Sequence, residues 1–139
     1  MKTLLAFIAL FSALTAAAQQ PEAAHIHIYR PHNKMFANGM KFTVSCGKDV
    51  IGKVPNGSYL DVDMQPGTCY LRASASMYYD EHPMELEAGK DYYVRVTLVG
   101  SKAGSFLLQM NGFRLELNNM TETEAKGDMR ELKPVAPKS

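Results

Sequence analysis

The chain has no tryptophan, only two cysteines and almost no imbalance of charge, and each scarcity closes off a class of function. Lys and Arg number 15 against 14 Asp and Glu, a formal net charge of +1. A balance that close leaves no electrostatic footprint for nucleic acid or for an anionic membrane surface. No apolar run reaches the roughly 20 residues of a membrane span. A Gly-x-Ser-x-Gly nucleophile elbow is missing, and Cys46 and Cys69 both fall on the apolar side of their predicted strands. Of the paired carboxylates, Asp80 and Glu81 are adjacent, while Asp61 and Asp63 read as an outward, solvated row in which neither is poised as an acid. The sequence therefore predicts no enzyme and no cofactor.

What is present begins with a leader. Lys2 supplies a short positive region, residues 4–14 are apolar apart from Ser12, and Ala16, Ala17 and Ala18 offer the small residues a signal peptidase requires. Cleavage is expected after Ala18, leaving Gln19 first. No Cys follows the apolar run, so lipid attachment of the bacterial lipoprotein kind is not available. The expected product is periplasmic or secreted and soluble after cleavage, with no transmembrane span. In an oxidising compartment Cys46 and Cys69 allow a single bridge, which that setting favours over two small buried thiols.

Strand periodicity dominates residues 24–118. Ile26 and Ile28 fall on one face of the first run, with His25, His27 and Tyr29 on the other, and Pro31 ends it. Asn38-Gly39 reads as a turn, after which Phe42, Val44 and Cys46 alternate with Thr43 and Ser45 as far as Gly47. A short segment over 49–54 precedes the Pro55-Asn56-Gly57 turn. Leu60, Val62 and Met64, then Cys69, Leu71 and Ala73, alternate on either side of Pro66-Gly67, a pattern that predicts a hairpin. Residues 74–83 are the least regular part. Met84 and Leu86 lead through 88–91 into the strongest run, with Tyr92, Val94, Val96 and Leu98 opposite Tyr93, Arg95 and Thr97. A loop over 100–104 and strand-like runs over 106–110 and 113–117, joined by Asn111-Gly112, complete the series.

From Thr121 the period changes. Thr121 with Glu124 is a capping-box pattern, and Ala125, Met129 and Leu132 recur at helical spacing until Pro134. The sequence thus predicts a mainly β protein: an antiparallel β-sandwich of about seven or eight strands with a short C-terminal helix. A parallel α/β fold is disfavoured because no helical crossover separates the strands. The predicted organisation is a signal peptide over 1–18, one β-sandwich domain over 19–133 and a flexible tail over 134–139.

The order of motifs resembles a family of small bacterial envelope domains of unknown function. Ile26 to Pro31 carries Ile-x-Ile-Tyr-Arg-Pro, followed by Ile51-Gly52-Lys53-Val54, Gly57-Ser58-Tyr59, Pro66-Gly67 and the Ala-Gly-Lys-x-Tyr-Tyr-Val-Arg of residues 88–95. The Ile-Gly turn followed by Pro-Gly is also similar to surface modules of the PEGA type. The chain departs from the family pattern at Cys46, where many members carry Asp, and in lacking the lipid-bearing Cys of many members. The resemblance implies fold and compartment; it implies no catalytic residue.

Two further groups are candidates for a site. His25 and His27 point the same way on one strand, and with His32 or His82 they offer imidazoles for Zn or Cu; a solvated polar strand face is the alternative. Tyr70, Tyr78, Tyr79 and Tyr93, with Arg72 and Arg95 beside them, form a candidate surface for an envelope protein or a glycan. Outward tyrosines that only pack cross-strand are the alternative there. The sequence favours partner binding, with metal binding as the second reading. The Asn56-Gly57-Ser58 and Asn119-Met120-Thr121 tripeptides match a glycosylation pattern that is incidental in a bacterial setting.

Overall fold

A computed structural model describes residues 20–34, 39–100 and 113–138. The expected leader and cleavage point, the start of the Asn38-Gly39 turn, most of the 100–104 loop and the 106–110 run with its Asn111-Gly112 turn lie outside the described residues. The elements in chain order are β1 (Ala24–Arg30), β2 (Phe42–Cys46), β3 (Asp49–Val54), β4 (Ser58–Met64), β5 (Gly67–Ala75), β6 (Tyr78–Leu86), β7 (Asp91–Val99), β8 (Arg114–Met120), α1 (Glu122–Met129) and β9 (Lys133–Val135). They form a five-stranded sheet, β8-β7-β1-β4-β9, and a four-stranded sheet, β3-β2-β5-β6. The predicted mainly β sandwich with one short helix is what forms.

Alternation sets the core. Ile26, Ile28, Val94, Val96, Leu60, Leu115 and Leu117 of the larger sheet face Phe42, Val44, Val54, Leu71, Ala73 and Leu86 of the smaller one. Burying each such aliphatic side chain is worth about 1.5–3 kcal/mol, which fixes the facing of every strand that carries one. Gly52 follows from the same packing: a Cβ there would stand 2.9 Å from Leu60 Cδ2, so the Ile-Gly pair marks a close approach of β3 to β4.

Several expectations need correction. The larger sheet is mixed, because β1 pairs in parallel with β7 and β4 in parallel with β9. Parallel pairing needs a crossover: from β1 to β7 the chain runs through strands of the opposite sheet as well as β4, with no helix, and from β4 to β9 it also passes through α1. Pro66-Gly67 does not close a hairpin. It carries the chain between sheets, since β4 pairs with β1 and β9 while β5 pairs with β2 and β6. The stretch 74–83 is regular after all: Ala75 pairs with Tyr78, leaving a tight turn in which Ser76 takes a left-handed φ of 55°. Pro83 is tolerated inside β6 because β6 is an edge strand and needs no amide donor there.

The expected tail boundary falls within β9. Ser58 to Leu60 pair with Lys133 to Val135, and Lys138 N then donates to Ile51 O at 2.7 Å, so this segment crosses to β3. The helix begins as predicted, with Thr121 and Glu124 exchanging a full capping box, but it ends at Met129 and leaves Leu132 outside.

Side chains stitch the sandwich along β6. Asp80 Oδ2 accepts from Leu117 N of β8 at 2.8 Å, and Tyr92 donates to Glu85 O at 3.0 Å while accepting from Glu87 N at 2.8 Å. Burial raises the Asp80 pKa, but the bonds from Leu117 N and His82 outweigh it and hold the carboxyl below its ordinary range. Within the smaller sheet, Cys46 and Cys69 are bridged, with Cα atoms 5.4 Å apart. Replacing both by Ala should lower unfolding free energy by about 3 kcal/mol on the loop-closure estimate. Urea unfolding under non-reducing conditions checks this, and the intact chain should weigh two hydrogens less than its reduced form.

Candidate functional site

The two sheets present different outer faces. On the larger sheet the side chains fall into rows set by strand register. One row runs Asp63–His25–Asp91 from β4 through β1 to β7, and the next runs Asp61–His27–Tyr93. A third runs Tyr59–Tyr29–Arg95. Helix α1 lies against this face, and it makes Tyr29 fully buried although its strand alternation points it away from the core. Tyr29 donates to Asp128 Oδ2 at 3.0 Å, and Arg95 Nη1 lies 3.7 Å from the same oxygen. Burial first, then the Asp128 bond, push the Tyr29 phenol well above its ordinary pKa.

His27 is the most constrained of these groups. Its Nδ1 donates to Asp61 Oδ1 at 2.7 Å and its Nε2 to Asp91 Oδ1 at 2.9 Å, while the ring stacks on Tyr93 at 4.6 Å. Two carboxylates cannot both accept from a neutral imidazole, so this geometry calls for the imidazolium. Burial opposes the charge and is the largest single influence, but the bonds to Asp91 and Asp61 outweigh it and raise the His27 pKa. Asp91 is correspondingly held low, chiefly by its bond from His27. His25 Nδ1 lies 2.5 Å from Asp63 Oδ1.

These contacts show where the four imidazoles stand. His25, His27 and His82 each give ring nitrogens to carboxylates, His82 doing so to Asp80 on β6 in the other sheet. His32 sits instead against Gly57, whose φ of 69° and 2.9 Å Cβ clearance leave no room for a side chain. The four imidazoles are not brought together, and no group of three or more His, Cys, Asp or Glu able to hold a metal ion forms among the described residues. Nor do the carboxylate pairs become dyads. Asp61 and Asp63 are each taken by a histidine, and Asp80 and Glu81 point to opposite faces of β6.

The tyrosine group divides. Tyr70, Arg72 and Tyr79 stand together on the outer face of β5 and β6, with the Arg72 guanidinium 4.4 Å from the Tyr79 ring centroid. Tyr70 is 54% and Tyr79 62% exposed, and Met77 at the hairpin tip is 77% exposed. Tyr78 instead packs against the core, because it falls on the inward parity of β6. Tyr93 and Arg95 belong to the other sheet, beside His27 and Asp128. Sequence reasoning missed Asp91, Asp128, Tyr59 and Arg130 as members of a site. The matching i, i+2 spacing of His25/His27 and Asp61/Asp63 was the one readable sign that the two strands pair.

The His27 arrangement makes stability depend on pH with a definite sign. A folded pKa raised above the ordinary 6.5 means the contribution is complete below about pH 6.5 and fades as pH climbs through the folded value. Urea midpoints should therefore fall over that interval. Asp91→Asn should flatten the fall and bring the His27 midpoint, followed by NMR, back toward 6.5; an unchanged midpoint contradicts the assignment.

With the geometry in hand, comparison with known proteins adds one finding. Residues 20–107, more than half of the chain, match the family model DUF2846, described as a protein of unknown function. That span takes in β1 to β7, while β8, α1 and β9 follow it. No curated protein and no solved structure matches the chain. By its sequence from β1 to β7, the chain belongs to the DUF2846 family.

Proposed function

We propose that the protein is an exported, non-enzymatic domain that binds a protein partner in the cell envelope through the outer face of the β3-β2-β5-β6 sheet. The observation that carries this reading is the exposed Tyr70, Arg72 and Tyr79 cluster, extended by Met77 at the hairpin tip. Tyr, Arg and Met are the residue types enriched at protein contacts, and acidic Glu81 and Glu85 on the same face of β6 supply a polar rim. Register adds Val50, 39% exposed, in the row Val50–Ser45–Arg72–Glu81. A glycan fits this face less well. Arg72 already lies over the Tyr79 ring, where a sugar would stack.

Export rests on the leader pattern of residues 1–18, and the Cys46–Cys69 bridge supports an oxidising compartment. Among the described residues no helix is long and apolar enough to cross a membrane. The likeness of the Ile51-Gly52 and Pro66-Gly67 turns to PEGA-type surface modules agrees with a binding role outside the cytoplasm.

A photo-crosslinking residue placed at position 70 in the producing cells should yield a discrete protein adduct, and one placed at Thr123 on α1 should not. Replacing Arg72 and Tyr79 together by Ala should cut the adduct at least about tenfold, the scale of a small hot spot. Equal adducts from both positions, or indifference to the double substitution, would sink the reading. Soluble glycans that compete for the adduct would move the assignment from protein to carbohydrate.

A further inference from the structure

The larger sheet carries a second feature, independent of the Tyr70 face. Helix α1 covers the Tyr29 row and stops short of the Asp61–His27–Tyr93 row, and the step between them is a cleft of about 370 Å³. Its floor is aromatic, made by Tyr59, His27 and Tyr93, with Asp61 at one side. Its wall is the last turn of α1 and the residues after it, where Lys126 and Arg130 stand one helical turn apart and Met129 and Leu132 are half-buried beneath them.

Most polar groups of this face are already committed. Lys126 pairs with Glu122, and His27 spends both nitrogens on Asp61 and Asp91. Three are not: among the described residues the Tyr59 and Tyr93 hydroxyls and the Arg130 guanidinium have no hydrogen-bond or ion-pair partner. They line one cleft together, and Asp61, whose Oδ1 is held by His27, adds a carboxylate with acceptor capacity to spare.

The geometry points to a binding site for one neutral sugar ring. Flat aromatic side chains beside half-buried aliphatics suit the C–H faces of a pyranose, and hydroxyl groups need what this cleft leaves open, donors and acceptors side by side. The volume is near the lower end for small-ligand sites, enough for one ring. The charges around the cleft sum to none for an ionic ligand: His27, Lys126 and Arg130 are matched in number by Asp61 and Asp91, both bonded to His27, and by Glu122, paired with Lys126, which leaves Arg130 open as a donor. The carbonyl end of α1 also opposes an anion at that position.

The test titrates the purified protein with methyl pyranosides of glucose, galactose, mannose and N-acetylglucosamine, and with glucuronate, following tyrosine ring signals by NMR. At least one neutral glycoside should shift Tyr59 and Tyr93 in a saturable way, with Kd on the order of 1 mM for so small a ligand. Tyr59→Phe and Arg130→Gln leave the core untouched and should each weaken that binding about tenfold. Four results overturn the proposal: no shift with any neutral sugar, tighter binding of glucuronate than of every neutral ring, full affinity in both variants, or shifts confined to Tyr70 and Tyr79. The last would instead place carbohydrate on the face assigned to the protein partner.

Discussion

The structure depends on β1 being occupied on every side. It is hydrogen-bonded to β4 along one edge and to β7 along the other, so none of its backbone faces water as a free edge. Its inward residues Ala24, Ile26 and Ile28 are fully buried in the sandwich core. Its outward residues are held almost as closely: His25 and His27 by carboxylates of β4 and β7, Tyr29 by Asp128 of α1. Arg30 ends the strand over the Phe42 ring, with burial lowering its pKa and Nη1 donating to Met40 O at 2.5 Å. A strand with four neighbours ties together elements far apart in sequence, and the Tyr29–Asp128 bond to α1 is the longest of those reaches.

A sandwich of open sheets still has edges, and unpaired edges invite association with other chains. Here side chains and an irregular segment manage them. Asp80 points inward from β6 and takes the Leu117 amide of β8, while the Tyr92 hydroxyl serves both a carbonyl and an amide at the far end of β6. At the opposite side Lys138 reaches Ile51 of β3 after the chain has paired as β9. An inward carboxylate in an otherwise apolar layer would be costly without partners; Asp80 has a backbone amide and His82, which is why its pKa falls although burial would raise it.

How much of this was legible can be argued residue by residue. Alternation placed Ile26, Ile28, Val94 and Val96 in the core correctly, since burial of aliphatic side chains is a local signal repeated every second residue. The capping box at Thr121 was equally local. Pairing was not. Pro66-Gly67 looks the same in sequence whether the flanking strands join each other or separate into two sheets, because a turn dipeptide encodes a change of direction and no partner. Ser76 was missed as a turn because it adopts a left-handed φ without being Gly, Asn or Asp. Tyr78 reads as outward only while residues 74–83 pass for irregular, since as part of β6 its parity is inward. Tyr29 leaves β1 on the side its parity gives, but parity says only which side, and tertiary packing says whether that side is wet.

That last distinction reorders the search for function. The residues whose chemistry stands out in sequence, His25-x-His27 and Asp61-x-Asp63, are the ones the fold consumes, each satisfying the other across β1 and β4. An imidazolium held by two carboxylates is a poor ligand and a poor base, since it has no lone pair to give while both bonds persist. The groups left with capacity are less conspicuous: Tyr70 and Tyr79 on one sheet, Tyr59, Tyr93 and Arg130 on the other. Both sets consist of aromatic rings beside guanidinium groups with no strong acid or base among them. Surfaces of that make-up suit recognition by shape, stacking and hydrogen bonding, which is the chemistry the proposed partner face and the proposed sugar cleft would both use.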